Sequence, residues 1–131
     1  MTVHDNNLIS YHVDGDAKQI VLHTEYPHAD PPFKTDVVFT GVVDHYFRHP
    51  VLPSIIFDIE RVELRETLER EYKFLKEGNR IGGWPSFWRE SVDEMETSLL
   101  NNGVQMFEIS SSYGLDGWVA ARNCEFVKIV N

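Results

Sequence analysis

Ser54-Ile55-Ile56-Phe57-Asp58-Ile59-Glu60-Arg61-Val62-Glu63-Leu64-Arg65-Glu66-Thr67-Leu68 is the stretch on which the fold class turns. Up to Val62 its apolar residues favour a strand, with Asp58 and Glu60 on the same face as Ile56. From Glu63 the period changes. Leu64, Leu68, Tyr72 and Leu75 recur at helical spacing with charges between them. Glu63, Glu66 and Glu69 lie early and Lys73 and Lys76 late, as the helix dipole favours. The pattern predicts a helix from Glu63 to Lys76 that stops with Gly78 in the C′ position. A loop, Asn79 to Pro85, is expected next.

A second helix follows that loop. Ser91-Val92-Asp93-Glu94 reads as a capping box, and Val92, Met95 and Leu99 form an apolar stripe. Gly103 ends it after Asn101-Asn102. A start at Ser86 would bring Trp88 onto the same stripe. The chain then returns to strand at Val104–Ser111. A turn at Tyr113-Gly114-Leu115-Asp116-Gly117 leads to Trp118–Arg122 and Cys124–Val130.

The residues before Ser54 are also strand-like. Leu8–Val13 and Gln19–Tyr26 flank Asp14-Gly15-Asp16, a hairpin signal, because glycine accepts positive φ without a Cβ clash. In the second run, Ile20, Leu22, Thr24 and Tyr26 share one face. Pro27 to Pro32 is a loop, since three prolines cannot donate to a ladder. Asp36–Phe47 is long and β-prone, and Gly41 inside it marks a bulge or a close backbone approach. Strands, two consecutive helices and strands again define an α+β domain, a mainly antiparallel sheet with both helices packed on one face.

The 131 residues suit a single domain, 1–131, and the 42% apolar and 25% charged composition is that of a globular chain. The N-terminus lacks the basic flank and apolar run of a signal peptide, and no window spans a bilayer. With one cysteine, Cys124, there is no internal disulfide, which fits a reducing, cytoplasmic setting. A formal charge of −9 repels phosphate backbones, and the basic residues are scattered among acids. Nucleic acid and anionic membranes are therefore poor partners. A basic protein suits such a surface, because opposite fields speed encounter.

Catalytic and metal signatures are weak throughout. His45 and His49 lie four apart beside Asp44, but Pro50 and the strand-like context remove helical i,i+4 geometry. His45 meeting His12 or His23 across strands is the remaining route to a metal site. Asp58, Glu60, Glu63 and Glu108 are candidate acid–base carboxylates only if the fold brings them together. Ser110-Ser111-Ser112 carries no nucleophile elbow. Cys124 has an acidic neighbour that disfavours the thiolate. Gly82-Gly83 is not a phosphate loop. No cofactor is implied.

The distinctive feature is aromatic: Gly82-Gly83-Trp84-Pro85-Ser86-Phe87-Trp88, with Tyr113 and Trp118 around a later turn. Such residues either pin the loop onto the sheet or line a recognition surface. Trp84, Phe87, Trp88, Tyr113, Trp118, Asp58 and Glu60 are thus the candidate binding residues.

Val38-Phe39-Thr40-Gly41-Val42, Ile55–Glu60, Phe74–Gly78 through Trp84-Pro85, and Phe107–Leu115 together resemble a small bacterial protein family with no assigned activity. Size, charge and the strand-first layout also resemble the acidic immunity proteins of bacterial toxin systems. The charge of −9 with no catalytic signature leads to the expectation of a non-catalytic, immunity-like interaction module that binds a basic protein through an acidic and aromatic surface. The alternative expectation is a small-molecule site or an enzyme, with an enclosed pocket between the sheet and the Trp84–Trp88 loop and Glu60, His45 or Glu108 as its polar groups. The chain is expected to be a monomer, or a homodimer through the aromatic patch.

Overall fold

The computed structural model describes residues 3–130. Met1 and Thr2, on which part of the targeting reading rests, lie outside the described residues. Eight strands and two helices follow in the order β1 (Asn7–Asp14), β2 (Gln19–Tyr26), β3 (Phe33–Thr40), β4 (Asp44–Arg48), β5 (Ser54–Val62), α1 (Leu64–Gly82), α2 (Val92–Asn101), β6 (Gln105–Tyr113), β7 (Asp116–Ala121) and β8 (Asn123–Ile129). All strand pairs are antiparallel, in the spatial order β4-β7-β6-β5-β1-β2-β3-β8. The architecture is the α+β arrangement expected.

The sheet coils back on itself. β5 and β1 are joined by only two register pairs, Asn7 with Ile55 and Leu8 with Ser54. β3 runs into β4 across residues 41–43, and β7 runs into β8 across Arg122 alone. These two bent segments pair with each other at both levels, β3 with β8 and β4 with β7. The sheet therefore has two halves whose inner faces meet, with strands that pass from one half to the other at corners. Leu8, Ile20, Leu22, Val37 and Phe39 from one half pack with Ile56, Ile59, Phe107, Ile109 and Val119 from the other. Phe39 and Phe107 touch edge to face across that interior, ring centroids 5.7 Å apart.

Gly41 sits at one corner with φ +62°, and a Cβ there would come within 2.9 Å of the Arg122 side chain. Close approach is thus the meaning of that glycine, and the strand breaks there instead of bulging. At the first hairpin the antiparallel pair forms as expected, but Gly15 does not carry the positive φ. Lys18 does, at 55°. The Asp14 carboxylate accepts the backbone N–H groups of Asp16 and Ala17, both at 3.0 Å, and so shapes the turn itself.

The helices cover the outer face of β4, β7, β6 and β5. Leu64, Leu68, Leu75, Met95 and Leu99 bury there against Met106, Trp118 and Ala120. With a core on each face, β7 is buried at every residue from Gly117 to Ala121. Each fully buried Leu, Ile or Phe contributes about 1.5–3 kcal/mol relative to exposure.

Three local expectations are corrected. α1 continues to Gly82, and Gly83, in the left-handed region at φ 69°, is its cap. Gly78 lies inside the helix, where a Cβ would meet Trp84 Cε3 at 2.7 Å and the Trp84 carbonyl oxygen at 2.8 Å. Its lack of a side chain makes room for the tryptophan instead of ending the helix. α2 begins at Val92, with the Ser91 hydroxyl accepting from Glu94 N. No earlier start at Ser86 occurs, because Pro85–Phe87 is a turn whose Ser86 N–H and Oγ–H both donate to Asp44 Oδ2, at 2.8 and 2.6 Å. In β5 the register shifts between Ile56 and Asp58. This bulge breaks the alternation, so Ile59 buries alongside Ile56, while Asp58 and Glu60 turn to the other face.

Candidate functional site

The Trp84–Trp88 loop is laid onto the outer face of the sheet. The indoles of Trp84 and Trp118 stack at 5.8 Å with 22° between planes, and Phe87 meets Trp118 at 6.0 Å. Phe74 and Tyr46 complete the layer around Trp84, at 5.6 and 5.9 Å. Trp88 packs on Tyr72, whose hydroxyl donates to the Glu90 carbonyl. Trp118 is 1% exposed and Phe87 5%. Trp118 Nε1 is buried with no hydrogen-bond partner, the one such side-chain atom among the described residues.

Four of the seven candidate residues are thereby brought together, as a packed layer. Trp84, Phe87 and Trp118 pack directly on one another beneath the loop, and the space that His45 and Trp84 do line, with Tyr46 and Phe74, is an open cleft beside it. Glu108 is committed elsewhere, accepting from Arg70 at 2.6 Å and Thr67 at 3.2 Å. His12 and His23 belong to the β1–β2 pair, while His45 pairs across from Val119 on β7. Burial pulls its pKa below the ordinary histidine value, against the opposing charge of Asp44. Among the described residues, no group of three or more His, Cys, Asp and Glu side chains is placed to hold a metal ion. Tyr113 stands alone at the end of β6, exposed and opposite Ile55. Asp58 accepts its neighbour's backbone N–H, that of Ile59.

Glu60 falls in a different place, a cleft of about 380 Å³ where β5 ends, α1 begins and α2 gives way to β6. Its charged lining is Glu60, Arg61, Glu63, Glu66 and Glu96. Its apolar floor is Val62, Leu64, Leu100, Val104 and Met106. The local chain path explains the acid density. Glu60 and Val62 share the post-bulge face of β5, Glu63 occupies the N-cap position of α1, and Glu66 lies in its first turn, where the dipole favours negative charge. Glu96 is held by Arg65 at 3.0 Å, and Arg65 also binds Asp93 and Glu69. Among the described residues, Glu60, Glu63 and Glu66 make no ion pair. Leu100 beside them is 59% exposed.

Sequence reading singled out Glu60 and Glu63 but missed Glu66, Glu96 and Leu100 as members of one surface. The helical period placed Glu66 near Glu63. Nothing in the sequence placed the end of α2 against them.

The geometry defines an α+β protein with a two-faced core, an acidic cleft and an open cleft beside the aromatic loop. No protein-family model, no curated protein and no solved structure matches the chain. No helix among the described residues is long and apolar enough to cross a membrane.

Proposed function

We propose that the chain is a non-catalytic protein-interaction module, immunity-like in its acidity, that receives a basic segment of a protein partner in the Glu60–Glu63–Glu66 cleft. The observation that carries this reading is a set of three carboxylates that make no ion pair among the described residues, arranged over an apolar floor with Leu100 exposed at its side. A lysine or arginine side chain suits both features, because its head reaches the carboxylates while its methylene stem lies on the floor. Exposed pairs of this kind supply only about 0.2–1 kcal/mol each, so packing of the stem and of neighbouring apolar residues must supply the rest. The net charge of −9 adds long-range attraction, which raises association rates by about 10- to 1,000-fold at low ionic strength. The setting proposed for this encounter is the bacterial cytoplasm.

The test is a pull-down from the native host at low and high ionic strength, with the unmodified chain and with a Glu60→Lys, Glu63→Lys, Glu66→Lys variant. A specific partner should be retained by the first, released by salt and lost by the second. Equal recovery by both chains would refute the cleft. No salt-sensitive partner with either would refute the interaction module.

A further inference from the structure

β4 is the end strand of the sheet, hydrogen-bonded to β7 on one side and to no strand on the other among the described residues. A cleft of about 520 Å³ runs beside it, lined by Tyr11, His45, Tyr46, Phe47, Phe74 and Trp84, with Pro50 at the end. His45 and Phe47 point to one face of the strand and Tyr46 to the other. The empty space therefore straddles the strand edge itself. Aromatic side chains wall it on both faces: Tyr11 lies 5.4 Å from Phe47 on one, and Phe74 lies 4.6 Å from Tyr46 on the other. Phe74 is 42% exposed.

An added strand would meet unpaired backbone groups at the centre and aromatic shelves above and below. The sequence of the edge decides which strand fits. β4 reads Asp44-His45-Tyr46-Phe47-Arg48, acid at one end and base at the other. Charged residues on a short edge repel most foreign strands. An antiparallel strand matches only if it carries its base opposite Asp44 and its acid opposite Arg48. A two-fold axis through the sheet normal at Tyr46 supplies that match from the chain itself. Asp44 then faces the second copy's arginine, His45 faces its phenylalanine, and the pairing repeats by symmetry. Opposed residues stay on the same face, as an antiparallel ladder requires.

The internal contacts leave both charges able to do this. Ser86 donates both its hydrogen bonds to Asp44 Oδ2, so Oδ1 is available. Arg48 gives Nε to Asp116 at 2.9 Å and its guanidinium lies 5.8 Å over the Tyr46 ring, and no hydrogen bond among the described residues takes its terminal amino groups.

We propose that this chain forms a two-fold dimer in which β4 pairs with β4 of a second copy, centred on Tyr46. The surface is separate from the acidic cleft, and the proposal stands whether or not that cleft binds a partner.

The experiment has two arms. In the first, light scattering and sedimentation are read against concentration. The chain should approach twice its 15.2 kDa mass. Arg48→Asp, which sets acid against acid, should weaken association at least tenfold, and Asp44→Arg with Arg48→Asp should restore it. In the second, Tyr46→Cys and, as control, Lys73→Cys are oxidised in a Cys124→Ser background. Directly opposed residues in an antiparallel pair have Cα atoms about 4.5–5.5 Å apart, within disulfide reach. The Tyr46→Cys chain should cross-link at low micromolar concentration and the Lys73→Cys chain should not. The charge series keeps Tyr46 and so answers even where its loss loosens the aromatic layer. A chain monomeric to about half a millimolar, or a dimer indifferent to the charge reversal, would overturn the proposal. So would a monomer that binds unrelated extended peptides along His45–Phe47.

Discussion

Replacing Gly78 by alanine sets two ordinary rules against each other. Glycine inside a helix costs about 0.8–1.0 kcal/mol relative to alanine, so on sequence alone Gly78→Ala stabilises α1. In the structure the new methyl group would sit 2.7 Å from Trp84 Cε3 and 2.8 Å from the Trp84 carbonyl oxygen. Real Cβ atoms do not come that close, so the loop must shift. One of the two opposing atoms is backbone, and the indole is held by Trp118, Phe74 and Tyr46. Overpacking of this kind costs about 1–3 kcal/mol. The helix gain offsets part of the clash, leaving a net destabilisation of up to about 2 kcal/mol. For a domain of this size that lowers Tm by up to about 8 °C. Urea melts monitored by tryptophan fluorescence and by far-ultraviolet circular dichroism measure it. In a Trp84→Ala background the side-chain part of the clash disappears, and Gly78→Ala should cost less than in the native chain. A rise in Tm on Gly78→Ala, or no coupling to Trp84, would refute the reasoning that this glycine exists to seat the tryptophan.

Further outcomes are expected. Ser91→Ala removes the oxygen that accepts from Glu94 N at 3.1 Å and should cost about 0.5–2 kcal/mol in urea denaturation, largely rescued by Ser91→Asn. Burial depresses the pKa of His45, so the folded state resists its protonation. Its neutral form is fully compatible with folding above pH about 6.5, and stability is lost as pH falls below that value towards the lowered folded pKa. His45→Gln should flatten that part of the Tm–pH profile, and an NMR titration of the ring should show the lowered midpoint. Burial, helped by the charge of Glu125, pushes the Cys124 thiol up to about 12. At pH 8 it should react with a disulfide reagent slowly in the folded chain and rapidly in urea, and equal rates would contradict its placement.

How much was legible in the sequence differs from element to element. The change of period at Glu63 located α1, and Ser91 with Glu94 located the start of α2, because these are signals between residues a few positions apart. The end of α1 was misread at Gly78 because the same residue type serves two purposes. Glycine relieves a left-handed cap, and it also makes room for a neighbour. Only the position of Trp84 tells them apart. The aromatic motif was visible, but its role was not. The indole of Trp84 becomes part of a core because β7 brings Trp118 beneath it from the far end of the chain.

The faces of β5 show the same division. Alternation put Asp58 and Glu60 with Ile56, and the bulge against β6 reversed them. A bulge is a property of two strands in register, so one strand's sequence does not reveal it. Local periodicity, capping and turn chemistry thus determined which elements form and that they make an α+β domain. Closure of the sheet through the β3–β4 and β7–β8 corners, the gathering of Glu60, Glu63, Glu66 and Glu96 into one cleft, and the open edge of β4 were decided by tertiary structure. Each depends on contacts between residues distant in the chain, and those are set by which surfaces can be buried together.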